Sequence, residues 1–180
     1  GQARMNWAAW LQLRGEDPRE QVRAAIADFD SARELVPDDF RPWKNRAIAH
    51  FNLGVWRMTA RLEDPLEDFD TALRDYDEAL ARNPADADGW RQRGVLRRNW
   101  AAFLESRGQD PSVQHSLSVA EFDQSIALDP AGAESVRDRG VSRLHWGLWR
   151  LGQGGECREL FDAAIADFEE SLRRNGEQPK

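Results

Sequence analysis

The segment Asn6-Trp7-Ala8-Ala9-Trp10-Leu11 returns 93 residues later as Asn99-Trp100-Ala101-Ala102-Phe103-Leu104. The first copy runs on into Arg14-Gly15-Glu16-Asp17-Pro18, the second into Arg107-Gly108-Gln109-Asp110-Pro111. Two looser copies, Asn52-Leu53-Gly54-Val55-Trp56 and His145-Trp146-Gly147-Leu148-Trp149, divide the chain into steps of 46 or 47 residues. Such internal repetition marks an array of stacked units, each covering its neighbour's apolar face.

The other half of each unit keeps the same step. Asp28-Phe29-Asp30, Asp75-Tyr76-Asp77, Glu121-Phe122-Asp123 and Asp167-Phe168-Glu169 are its four copies, each followed by Pro37, Pro84, Pro130 or Gly176. Val22, Phe69, His115 and Phe161 align as well. Val22, Ala25, Ile26, Phe29, Ala32 and Leu35 recur at the three-and-four spacing of an amphipathic helix. Asp17-Pro18, Asp64-Pro65 and Asp110-Pro111 read as helix starts, and the later prolines lie beyond helix ends. Two helices per unit follow. The first spans 40–61, 87–107 and 133–151; the second spans 18–35, 65–82, 111–128 and 157–173. Residues 1–15 supply only the later part of a first helix, so the pattern predicts that the polypeptide continues upstream. Arg173, Arg174, Asn175 and Glu177 give the other end a polar character.

The second helices carry Ala25, Phe29, Ala32, Pro37; Ala72, Tyr76, Ala79, Pro84; Ser118, Phe122, Ser125, Pro130; and Ala164, Phe168, Ser171, Gly176. The first helices carry Trp43 with Ala47, Trp90 with Gly94, and Val136 with Gly140. This spacing resembles the tetratricopeptide repeat family across essentially the whole chain. The period exceeds that family's usual 34, and the surplus falls between the opening Trp and the Asp-Pro. HEAT-type repeats, with periods near this length, are the alternative. Either resemblance implies an all-α chain, an α-solenoid of stacked antiparallel helix pairs. The expected domain organisation is one repeat domain over 1–180, with units of approximately 1–37, 38–84, 85–130 and 131–176.

The eight tryptophans fall at three repeat positions: Trp7, Trp100, Trp146; Trp10, Trp56, Trp149; and Trp43, Trp90. Periodic placement predicts packing within and between repeats, where a ligand cage would be singular. Arg46, Arg93 and Arg139 recur where the family places an apolar residue, alongside the recurring Asp28, Asp75, Glu121, Asp167 and Asp30, Asp77, Asp123, Glu169. They predict a repeated arginine–carboxylate pair that fixes helix register.

Chemistry of turnover has little to stand on. One cysteine, Cys157, excludes an internal disulfide and any multi-cysteine zinc site, and His50, His115 and His145 lack metal-ligand spacing. Cys157 and His145 make a weak Cys–His pair with no orienting third residue. The aspartates two apart on one helix point roughly 200° apart. No cofactor is expected. A formal charge of -7 argues against nucleic acid, and no apolar run approaches the roughly 20 residues of a membrane span. The chain supplies no signal peptide, which fits a cytoplasmic protein.

In the resembled family one face of the first helices lines a concave groove. Its equivalents here are Lys44, Ile48, Phe51 and Asn52, then Arg91, Val95, Arg98 and Asn99, then Arg137, Val141, Leu144 and His145. Lys44, Arg91 and Arg137 make a basic ladder at one repeat position, suited to carboxylates or phosphates. The family's lysine–asparagine carboxylate clamp is absent, because Ile48 and Val95 follow one turn on. The resulting expectation is a non-enzymatic scaffold binding a protein or peptide, an acidic one by charge, with self-association through the terminal repeats. The alternatives are a structural spacer or oligomerisation module of a larger protein, and the regulatory lobe of an enzyme or a weakly supported Cys–His hydrolase.

Overall fold

The apolar periodicity and the aspartate–proline pairs act as read. Asp17, Asp64 and Asp110 each accept a hydrogen bond from the backbone N–H two residues on, at 3.0, 2.9 and 2.8 Å, and three second helices begin there. The computed structural model describes residues 1–61 and 63–176; Glu177 of the polar end lies outside them. Among the described residues the chain is all-α: α1 (Gln2–Leu13), α2 (Arg19–Leu35), α3 (Phe40–Trp56), α4 (Leu66–Arg82), α5 (Ala87–Ser106), α6 (Ser112–Leu128), α7 (Ala133–Gly152) and α8 (Arg158–Gly176). The helices pack as consecutive tetratricopeptide-like pairs. They fall into two compact units, Gly1–Ala85 and Asp86–Lys180.

Within each pair a small residue lets the two backbones approach. A Cβ on Gly54 of α3 would stand 2.7 Å from the Phe69 ring of α4, and one on Gly94 of α5 3.0 Å from the Phe122 ring of α6. At each of these two repeat positions an aromatic ring fills the space that a glycine leaves open.

Three of the four turns inside pairs close alike. Gly15, Gly108 and Gly154 adopt φ near +70°, a conformation that side chains disfavour. The next N–H in each turn reaches back to Leu11, Leu104 or Arg150, at 2.9, 2.9 and 2.8 Å. The turn after α3 differs. Arg61-Leu62 stand where the others have glycine, and the segment from Gly54 to Pro65 is one residue longer than from Ala101 to Pro111. There α3 ends in a π-helical turn, Arg57–Arg61. An i→i+5 turn holds one residue more than an α turn, so the extra residue is absorbed and Pro65 still opens α4. The expected helix over 40–61 is thus an α-helix to Trp56 with a π turn beyond it.

The recurring arginines bridge helices. In the first unit Arg46 of α3 pairs with Asp75 of α4, Nε to Oδ2 2.8 Å, and with Asp30 of α2 at 2.6 Å. In the second, Arg139 of α7 holds Asp167 of α8 at 2.6 Å and Asp123 of α6 at 2.5 Å. Arg93 of α5 lies 3.1 Å from Glu121 of α6. Arg97 and Arg143, one turn on, add contacts to Glu121 at 2.6 Å and Asp167 at 2.7 Å. Asp75, Glu121 and Asp167 are buried, so each needs its guanidinium.

Six tryptophans are buried or half-buried, and several also seat arginines. Trp43 has Arg33 at 3.6 Å and Arg82 at 4.5 Å from its ring centre, and Trp56 has Arg19 at 4.9 Å. Trp7 and Trp10 depart from the packing expectation, being 52% and 49% exposed. They lie on the face of α1 corresponding to Leu53 and Trp56 of α3. There α2 supplies the cover, whereas among the described residues no helix lies over that face of α1.

Candidate interaction face

The first-helix residues expected to meet a partner are set by α3 in the first unit and by α5 and α7 in the second. On α3, Lys44, Ile48 and Asn52 are half-buried, with the Lys44 ammonium 5.4 Å from the Phe40 ring centre. Phe51 is buried, its ring 6.1 Å from that of Phe69.

In the second unit, α5 and α7 bring three of the expected cations onto one carboxylate that the sequence reading did not single out. Asp138 of α7 is 5% exposed. Arg91 Nη1 lies 3.0 Å from its Oδ2, Arg137 Nη2 3.3 Å from its Oδ1, and Arg98 Nη1 3.8 Å from Oδ1. Arg98 also approaches the Asp138 carbonyl oxygen at 3.4 Å. Arg91 is further flanked by Asp88 and Glu134, each at 3.4 Å.

The three cations differ in how well they are held. Burial works against the Arg91 charge, but the Asp138 hydrogen bond and its neighbours' charges outweigh that and raise its pKa. Arg98 goes the other way. Burial is the largest cause, Arg137 and Arg91 repel it, and its long contacts to Asp138 only partly compensate, so its pKa is lowered. Arg137 keeps 55% of its side chain exposed. Around them Val95, Val141 and Leu144 are half-buried and His145 is exposed. Asn99 spends an amide N–H on the Val95 carbonyl at 2.8 Å.

Asp138 aligns with Gln92 and Asn45. A carboxylate where the other copies carry amides was the available signal. A cleft of about 340 Å³ adjoins this cluster, lined in part by Asp88, Arg91, Glu134 and Asn175.

A second singular residue lies under the same face. His115 of α6 is buried, where the aligned residues are Val22, Phe69 and Phe161. Its Nε2 lies 2.8 Å from Glu105 Oε1, its ring stacks on Trp146 at 6.2 Å, and its Nδ1 is buried without a partner. Burial lowers its pKa most; the Glu105 hydrogen bond opposes, and the His145 and Arg98 charges add to the lowering. A neutral ring donating Nε2–H to Glu105 satisfies this geometry.

Cys157 is half-exposed before the first turn of α8 and lines a cleft of about 730 Å³ with Trp146, Arg150 and Arg158. Among the described residues no three His, Cys, Asp or Glu side chains are grouped to hold a metal ion, and no helix is long and apolar enough to cross a membrane.

No protein-family model and no curated protein matches the chain. Among solved structures it is similar to MamA, at 14% identity and a TM-score of 0.44 over 88% of this chain and 91% of that one. It is also similar to MamA 41-end from Desulfovibrio magneticus RS-1, at 15% identity and a TM-score of 0.45 over 99% and 97%. A third is YrrB, described as a TPR protein with an unusual peptide-binding site, at 15% identity and a TM-score of 0.44 over 97% and 86%.

Proposed function

We propose that the chain is a non-enzymatic interaction scaffold that takes a carboxylate-bearing peptide or partner segment on the α5–α7 face of its second unit. One observation carries this reading: three arginines, Arg91, Arg98 and Arg137, converge on the single buried carboxylate of Asp138. Arg91 is well neutralised and its role is to hold α5 to α7. Arg98 is half-buried and weakly paired, and Arg137 is half in solvent, so a second carboxylate would be welcome at these two. Val95, Val141 and Leu144 supply adjoining apolar contact, with Asn99 and His145 at the edge. Lys44, Ile48 and Asn52 form the corresponding patch of the first unit.

The test uses a fluorescein-labelled peptide of alternating glutamate and leucine, followed by anisotropy. Binding weakens about tenfold or more on Arg137→Glu, and weakens as salt is raised. Binding that Arg137→Glu leaves unchanged, or no binding at low salt, refutes the reading.

A second reading, an oligomerisation module, is favoured by the exposed Trp7 and Trp10 on α1 and by Ile165 on α8, which is 55% exposed.

A further inference from the structure

The buried Asp138 carboxylate is held unequally at its two oxygens. Oδ2 meets Arg91 Nη1 at 3.0 Å, and that contact ties α7 to α5. Oδ1 is shared by Arg137 Nη2 at 3.3 Å and Arg98 Nη1 at 3.8 Å. Both are longer than the roughly 2.7–2.9 Å of a well-made guanidinium–carboxylate bond. Among the described residues Asp138 is the only carboxylate paired with either of these two arginines, whereas Arg91 also has Asp88 and Glu134 at 3.4 Å. One oxygen is therefore a clasp, and the other loosely covers two cations.

The position also breaks the repeat. The aligned residues are Gln92 on α5 and Asn45 on α3, both neutral amides. An amide oxygen at 138 could still accept a hydrogen bond from Arg91. What the carboxylate adds is charge, and that charge falls on the two cations left for a ligand.

We infer that Asp138 is a resident stand-in for the ligand's carboxylate: its Oδ1 neutralises Arg98 and Arg137 in the empty site, competes with an incoming carboxylate for them, and disfavours a phosphoryl group there. The inference rests on the carboxylate-binding reading and specifies how that site is regulated and what it selects. On binding, the ligand's two oxygens take Arg98 and Arg137 at ordinary bond length. Arg91 keeps Oδ2, with Asp88 and Glu134 beside it, so α5 and α7 stay clasped. A ligand carboxylate brings one negative charge next to Asp138. A phosphoryl group brings about 1.5 to 2, and the excess meets a buried like charge where water screens it poorly.

Anisotropy on the full 180-residue chain tests this with two probes: the labelled glutamate–leucine peptide, and a copy whose central glutamate is phosphoserine. The wild type binds the glutamate peptide more tightly than the phosphoserine copy. Asp138→Asn, which restores the amide of the other copies, tightens the glutamate peptide about tenfold or more. It tightens the phosphoserine copy further, so that the order of preference reverses. Damage to the fold could only weaken binding, so a gain separates competition from a structural role; circular dichroism checks the helices of each variant. Asp138→Glu restores the charge and with it the wild type's order of preference. A wild type that binds the phosphoserine copy as tightly as the glutamate peptide overturns the inference without recourse to any variant. So does an Asp138→Asn variant that binds the glutamate peptide no more tightly than the wild type; either result leaves the carboxylate-binding reading standing. No binding of the glutamate peptide by the wild type at low salt overturns that reading, and the inference with it.

Discussion

At the seam between α2 and α3, Ala25 and Ala49 are fully buried in an apolar cluster; at the aligned positions between α6 and α7 stand Ser118 and Ser142. Ala32 and Pro42 of the first seam likewise become Ser125 and Ser135, whose hydroxyls lie 2.8 Å apart. Ser118 and Ser125 also donate to the Gly94 and Ala87 carbonyls of α5, each at 2.8 Å. Val22 becomes His115. One packing geometry is thus held by small apolar side chains in one unit and by mutually satisfied polar ones in the other. Hydroxyls are tolerated there because they arrive in pairs; singly, each would carry a desolvation cost.

The seams share the arginine clasp but differ in its redundancy, which gives the largest expected effect. Among the described residues Asp75 is held by Arg46 alone, whereas Asp167 has Arg139 and Arg143. Arg46→Ala strands a buried carboxylate and costs about 3–5 kcal/mol in urea unfolding. Arg139→Ala leaves Arg143 in place and costs about 1.5–3 kcal/mol, the worth of hydrogen bonds to a charged group. Equal losses would show that the second arginine contributes nothing.

Next in size is the hydroxyl pair. Ser118→Ala leaves the Ser142 hydroxyl buried without its partner and costs about 1–3 kcal/mol. Adding Ser142→Ala removes the orphan and recreates the first unit's alanine pair, so the double variant recovers much of that loss. A double-mutant cycle with no coupling would mean that the two hydroxyls do not support each other.

The smallest effect is in pH. The folded-state pKa of His115 lies below its ordinary value of 6.5, first because of burial. Stability from this residue is therefore complete above about pH 6.5 and declines as pH falls toward the folded pKa, since the unfolded chain takes the proton first. Melting temperature should drop between pH 7 and pH 5.5. His115→Val, the residue of the first unit, should flatten that slope, with Glu105, His145 and Arg98 still present. An unchanged slope would put the titration elsewhere.

The sequence made the repeats, the helices and the arginine–carboxylate clasp legible because each is written several times, and recurrence separates a pattern from its background. What it did not disclose is written once. Asp138 occurs only in the last copy, and the meeting of Arg91, Arg98 and Arg137 upon it depends on how α5 and α7 lie together, which no spacing within one helix encodes. The half-exposure of Trp7 and Trp10 follows from what covers α1, not from their own positions. The stacking of Arg19, Arg33 and Arg82 on tryptophan rings likewise comes from tertiary proximity between neighbouring helices.

The turn after α3 carries a consequence for how such a chain can change length. A residue inserted into an ordinary helix rotates everything beyond it by about 100° and would swing Phe69 away from Gly54. Here the surplus residue is taken up within a single turn, so the insertion is quarantined and the downstream copy inherits no error. This turn is the chain's expansion joint, and removing one residue while restoring glycine at position 61 should convert it to the common form without disturbing either neighbour.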